Sequence, residues 1–219
     1  MYHVKKLSTR PFFGLLTAWL IATSAIAYFA MSLGHVHLYA ENGLMENLQV
    51  VLLCTAFVGF VHAAISTDYA NETLPSFMAL LAFAFVFREL DVEQFNVPES
   101  VIFLFAGDGR ALYLVPLTGL LLRLVFHCRH YIQHAGYYLD KRSIKYIILA
   151  ALCYAVFSEV FDKKYVPIEH SDFWEESFEL AAAMLLCATS FGVLTADLNV
   201  VAEEIARERA VFDINNVST

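Results

Sequence analysis

Glu46, Glu89, Glu159, Glu176 and Glu179 each lie within a turn or two of the end of a long apolar run. They sit in the stretches ENGLMENLQVVLLC, FRELDVEQF, FSEVFDKK and SDFWEESFEL. Carboxylates in such places can do three kinds of chemistry. They bind hard divalent cations through oxygen. They exchange protons when gathered close enough to repel one another. As a pair they serve as general acid and base, or hold a metal that activates water, on a lipid-linked substrate.

Spacing narrows where these groups point. Asn42, Glu46 and Gln49 stand at i, i+4 and i+7, one face of a helix. Asp172, Glu176 and Glu179 repeat that interval, with Glu175 also one turn before Glu179. Ser158 and Glu159 lie one turn before Asp162, and Glu89 one turn before Glu93. An ionised carboxylate facing lipid costs about 2.5–3.5 kcal/mol on insertion scales, so the stripes are predicted to face a shared interior or water. Arg88, beside Glu89 and Asp91, reads either as internal compensation or as a grip on an anionic group. Asp91, Glu93, Glu99, Glu169 and Asp172 read as solvated loop residues.

The elements that must position these groups are membrane helices. Of the 219 residues 59% are hydrophobic and 16% charged, and the mean hydropathy is +0.58, well above a soluble domain's usual ~45–50% apolar content. Six apolar segments, at about 12–33, 44–65, 74–90, 111–127, 144–161 and 178–199, approach the ~20 residues that cross a bilayer as a helix. The expected fold is all-α: a polytopic transmembrane bundle of six helices over residues 1–199, followed by an amphipathic C-terminal tail over 200–219. The first apolar run is too long for a cleaved leader, so it reads as a membrane helix. Pro116 inside the fourth span is tolerable if neighbouring groups satisfy the freed carbonyl.

Lys5, Lys6, Arg10, Arg123, Arg129, Lys141, Arg142, Lys145, Arg207 and Arg209 fall on one side of this topology; only Arg88, Arg110, Lys163 and Lys164 fall on the other. The positive-inside rule then places both termini in the cytoplasm. The acidic motifs land together at the opposite, outer face. Small size and this bias suit a bacterial inner membrane. The sequons at Asn71 and Asn216 fall on the cytoplasmic side and stay unmodified.

The chain also resembles itself. VFRELDVEQFNVPES at 86–100 parallels VFSEVFDKKYVPIEHS at 156–171, and ENGLMENLQVVLLCT at 41–55 parallels WEESFELAAAMLLCAT at 174–189. This register puts Glu46 on Glu179 and Asn42 on Glu175, with Asp108 of GDGR as the counterpart in the fourth span. It suggests three similar helical hairpins, each with an acid aimed inward.

Other features are less specific. His35 and His37 form an H-x-H near carboxylates, with His170 on the same side, but zinc needs a further ligand. His127, His130 and His134 form a stripe at the other end, among Arg123 and Arg129, and read as interfacial side chains. Cys54, Cys128, Cys153 and Cys187 contain no CxxC pair and read as small buried hydrophobes. Leu198, Val201, Ile205 and Phe212 form an apolar stripe, suited either to a membrane surface or partner, or to a solvated extension of the last span. A net charge of −8 argues against nucleic acid. No G-x-S-x-G, H-E-x-x-H or P-loop is present.

Three functions fit. The first is binding or transport of a cation, a proton or a divalent metal, at an outer-face acidic site made of Glu46, Glu89, Glu159, Glu176 and Glu179, supported by Asn42, Gln49, Arg88, Asp108 and Asp162. The second is a carboxylate-pair enzyme on a lipid-linked substrate. The third is an accessory subunit docking a membrane-protein partner through its acidic face or C-terminal helix. The bilayer is the surrounding solvent in all three.

Overall fold

The computed structural model describes residues 10–40, 42–67, 72–90, 92, 97–105 and 108–217. The basic lead Lys5–Lys6, Glu41, Asn71, Asp91, Glu93 and Gly107 lie outside the described residues, as do the side chains of Asp108, Phe212 and Asn216. Among the described residues the chain is helical, with no strand.

The helices are α1 (Arg10–Ala27), α2 (Leu44–Ser66), α3 (Thr73–Glu89), α4 (Glu99–Phe105), α5 (Ala111–Phe126), α6 (Cys128–Gln133), α7 (Ala135–Asp140), α8 (Arg142–Leu152), α9 (Glu159–Asp162), α10 (Ser171–Ser190) and α11 (Val193–Val217). A π segment at Tyr28–Ser32 extends α1, and a second, Cys153–Ser158, joins α8 to α9.

Three helical stretches are long and apolar enough to cross a membrane: Phe12–Ser32, Leu44–Ser66 and Arg142–Asp162. A fourth is formed if α10 and α11 act as one broken span, for the two meet at a 58° bend. The third and fourth expected spans are shorter. With 17 and 16 residues, α3 and α5 reach about 24–26 Å, less than the ~30 Å hydrocarbon layer. The sixth span also differs from expectation. Its helix begins at Ser171 rather than near 178 and stops at Ser190. Gly192, at φ +71°, takes the left-handed conformation that ends helices cheaply only at glycine, and its N–H returns to the carbonyl of Ser190 at 2.7 Å.

At the centre α10 packs between α2 and the α8–α9 rod, α3 packs along α2 with its end reaching α10 and the rod, and α5 packs on α3. On α2 the buried residues Met45, Gln49, Leu53, Ala56, Phe60 and Ala63 recur at helical spacing, so one stripe faces inward while Val51, Val58 and Ile65 face outward. Small residues let α2 and α10 touch: a Cβ on Gly59 would stand 2.4 Å from Oγ of Ser190, the close approach that membrane interfaces favour. The first of the three expected hairpins is not built as a packed pair, because the main helical neighbour of α1 is α10.

Leu198, Val201 and Ile205 are buried in the main core, so this stripe of α11 rests on the chain itself. Asp197 of the same helix accepts the backbone N–H of Ser143 at 2.9 Å and caps α8. Cys153 and Cys187 are buried as expected, whereas Cys54 and Cys128 are exposed and all four are free thiols.

Candidate functional site

Four helix ends converge at one end of the bundle: the start of α2, the end of α3, the end of the α8–α9 rod and the start of α10. Glu179 lies at the centre. Only 2% exposed, it stands eight residues into α10, about 12 Å below the helix start. Its Oε1 accepts two hydrogen bonds, from Nη2 of Arg88 at 2.9 Å and from Oγ of Ser158 at 2.8 Å. Arg88 also lies 3.6 Å from Oε1 of Glu89. Glu89, 8% exposed, accepts the hydroxyl of Tyr154 at 2.9 Å. The Arg88 guanidinium covers the face of the Tyr154 ring at 4.7 Å, and Phe85 stacks on the same ring at 4.4 Å. One arginine therefore joins two carboxylates, a phenol and a serine from three segments distant in sequence.

Beside this network Gln49, only 1% exposed, donates its amide to Oε2 of Glu176 at 2.7 Å and to the Glu176 carbonyl at 3.2 Å. A buried amide needs such partners, and these two bonds pin α2 to α10 one turn above Glu179. Glu46 lies at the rim, close enough for its charge to act on Glu89 and Glu176. It also accepts the backbone N–H of Asn42, one of the donors a helix start leaves unpaired.

Tyr154 and Ser158 stand four residues apart on the α8–α9 rod, within its π segment Cys153–Ser158. That interval keeps them on one face of the rod, where Tyr154 reaches Glu89 and Ser158 reaches Glu179.

The expected site is thus assembled in part. Glu89, Glu176, Glu179, Gln49 and Arg88 come together, with Glu46 at the edge. Glu159 does not join them: its half-exposed side chain pairs with Lys163 one turn on, the common i,i+4 arrangement of a solvated helix face. Asp162 and Asn42 are exposed. Asp108 starts the short 3-10 turn Asp108–Arg110. The internal repeat is reproduced unevenly. Arg88 and Ser158 occupy matching positions and bond the same oxygen of Glu179, yet their matched neighbours Glu89 and Glu159 end up buried and half-exposed. Glu46 and Glu179 also differ in depth, because α10 starts earlier than the repeat implied and carries Glu179 into the core.

Tyr154 is the member that sequence reasoning missed. In the run IILAALCYAVF it resembles any aromatic of a lipid-facing helix, and only the packing of the rod against the end of α3 brings its hydroxyl onto Glu89.

Nearer the surface, Tyr39 and Nδ1 of His170 lie 2.8 Å apart. Burial, then the charges of Asp172 and Glu169, push the Tyr39 phenol up, so it stays protonated in this contact. His170 itself sits at φ +60° and, with Asn42 and Lys164, makes this end the one where non-glycine residues take left-handed backbone. The rings of His35 and His37 lie 5.5 Å apart. Among the described residues no group of three or more His, Cys, Asp or Glu is placed to hold a metal ion.

No family model, curated protein or solved structure matches this chain.

Proposed function

We propose that the chain is a multi-pass protein of a bacterial inner membrane, crossing six times with both termini cytoplasmic, and that its outer-end carboxylate network binds a proton. One observation carries this reading: Glu89 and Glu179, from two helices, share a single cation, Arg88, while Glu176, one turn above Glu179, is held by the neutral amide of Gln49, with Glu46 close by. Carboxylates outnumber cations in a place largely removed from water, and a proton is the smallest charge that restores balance.

A proton suits the geometry better than a divalent metal. Arg88 already occupies the position between Glu89 and Glu179, so a metal would have to displace a guanidinium with a fixed charge. The reading is of binding rather than a complete conduction path, since Asp197, within α11 toward the other end, is engaged in capping α8. Six crossings require α3 and α5 to span with local thinning of the bilayer, and the surplus of Lys and Arg at the end opposite the network supports the orientation. The enzyme alternative has less support, because Ser158, the hydroxyl beside the carboxylates, is itself buried.

Infrared difference spectra of the purified chain in proteoliposomes, taken between about pH 5 and about pH 8, test the proposal. A protonated-carboxyl band that titrates in the wild type and is lost in Glu89→Gln or Glu176→Gln supports it. A band unchanged in Glu89→Gln, Glu176→Gln and Glu179→Gln sinks it. Calorimetric titration with Mg²⁺, Ca²⁺, Mn²⁺ and Zn²⁺ should give no heat that these variants abolish.

A further inference from the structure

The opposite end of the bundle carries a second assembly, independent of the carboxylate network. From α5 the chain continues through α6 and α7 as a bent helical path, turning at His127 and at His134. The cause is the same at both turns. The backbone N–H of each histidine bonds the carbonyl four residues back, and its Nδ1 bonds that same oxygen: Arg123 O at 2.7 Å for His127, and His130 O at 2.9 Å for His134. This fixes the tautomer with hydrogen on Nδ1 and leaves Nε2 as the atom that gains a proton.

His130 lies between them, its ring 4.6 Å from that of His134 and 6.3 Å from that of Tyr138. The charged and titratable groups facing it are His127, His134, Tyr131 and Tyr138 on its own segment and Arg209 of α11. Glu208 is bonded by Tyr137 at 3.4 Å, and Arg123 is paired with Glu72 at 3.5 Å.

A count of the ion pairs at this end shows what is left over. Lys141 is matched by Glu204, Lys145 by Asp140 and Arg207 by Glu203. Among the described residues Arg129, Arg142 and Arg209 have no carboxylate partner, while Glu208 and Asp197 bond only neutral groups, the Tyr137 hydroxyl and the Ser143 N–H. Three unmatched cations thus stand against two unmatched acids, although the chain is acidic as a whole. Alongside stand two large apolar side chains with nothing over them, Phe126 at 82% and Ile132 at 71% exposed. On the six-crossing reading proposed above, on which this inference rests, Phe126 is the last residue of the spanning helix α5, which sets this group at bilayer-surface depth. Cations next to exposed apolar side chains at that depth are suited to lipid headgroups.

We propose that His127, His130, His134 and Arg209 form a binding site for the phosphate headgroup of an anionic phospholipid, with Phe126 and Ile132 seated in its acyl layer. Arg209 supplies the standing charge. His127 and His134 add a donor at Nε2 when protonated, and protonated His130, whose Nε2 lies 3.5 Å from the Tyr138 hydroxyl, has both ring nitrogens as donors, so binding strengthens as pH falls.

Thermal unfolding of the full chain in nanodiscs tests this, comparing phosphatidylcholine alone with phosphatidylcholine containing phosphatidylglycerol. The anionic lipid should raise the midpoint by about 3 °C or more, and by more at about pH 6 than at about pH 7.5. Arg209→Gln, a change at an exposed position, should remove at least half of that rise while leaving the phosphatidylcholine midpoint in place. His130→Gln combined with His134→Gln should abolish the extra rise at low pH. Equal midpoints in the two lipids, or a full rise in Arg209→Gln, overturn the site. An equal rise at both pH values removes the histidines from it. The same rise from inorganic phosphate in phosphatidylcholine discs overturns the lipid assignment in favour of a soluble anion.

Discussion

The two ends of this bundle handle charge in opposite ways. At the carboxylate end, Arg88, Glu89, Glu179, Tyr154 and Ser158 share few atoms among many claimants, with Glu179 and Glu89 almost wholly buried. At the basic end, Lys145 with Asp140 and Arg207 with Glu203 are separate, solvated pairs more than half exposed. Exposed pairs contribute about 0–1 kcal/mol, whereas breaking a buried one costs about 3–5 kcal/mol. Similar residue types therefore hold the fold together at one end and mainly set the surface potential at the other. The proposed proton site draws on the charge balance of the first end, and the proposed lipid site on the surface potential of the second.

The sharpest way to break this contrast is Glu179→Ala. It strips Arg88 and Ser158 of a common acceptor, and because Arg88 is half exposed the buried-pair cost is discounted to about 2 kcal/mol, read as a fall in the unfolding midpoint in detergent. Tyr154→Phe keeps the ring stacked on Phe85 and removes only the hydroxyl given to Glu89. It should cost about 1.5 kcal/mol, and a double-mutant cycle with Glu89→Gln should return a coupling of at least about 0.5 kcal/mol. Asp197→Ala, which uncaps α8 at the basic end, should cost about 1 kcal/mol. Asp140→Asn should stay within about 0.5 kcal/mol. If it rivals Glu179→Ala, the two ends do not differ as described.

A pH effect of small size completes the series. Burial, followed by the charges of His134, Arg209 and His127, lowers the His130 pKa. The unfolded chain then binds the proton more readily than the folded one. The contribution of neutral His130 is accordingly present above the unfolded histidine value of about 6.5 and declines as pH falls below it. Denaturant unfolding followed across that window should show a shallow loss of stability toward acid that His130→Gln flattens.

Much of the carboxylate end was legible from spacing. Glu176 and Glu179 at a helical interval, opposite Gln49 in a long apolar helix, leave an inward face as the only inexpensive placement, whereas Asp172, one turn nearer the helix start, is exposed as a solvated residue. Glu159 misled because its neighbour in sequence, rather than in space, determined its fate: Lys163 stands one turn away, and that signal was present in FSEVFDKK. Tyr154 was beyond reach, since in an apolar run nothing marks which aromatic faces α3 rather than lipid. The displaced last span is a different case. Hydropathy runs smoothly across Phe191–Gly192, while the helix is ended by one glycine's backbone, a cue that averaging over a window erases. The stripe on α11 was seen, but its destination depended on α8 and on the bend that brings the two together.

The π segment has a further consequence, for chain length rather than residue type. Losing or gaining one residue between Cys153 and Ser158 would rotate everything beyond it by about 100° about the rod axis, carrying Ser158 away from Glu179 while Tyr154 stayed in place. Many side chains in this stretch can change without harm, yet its count of residues is held fixed, so an insertion or deletion here should do more damage than nearly any substitution.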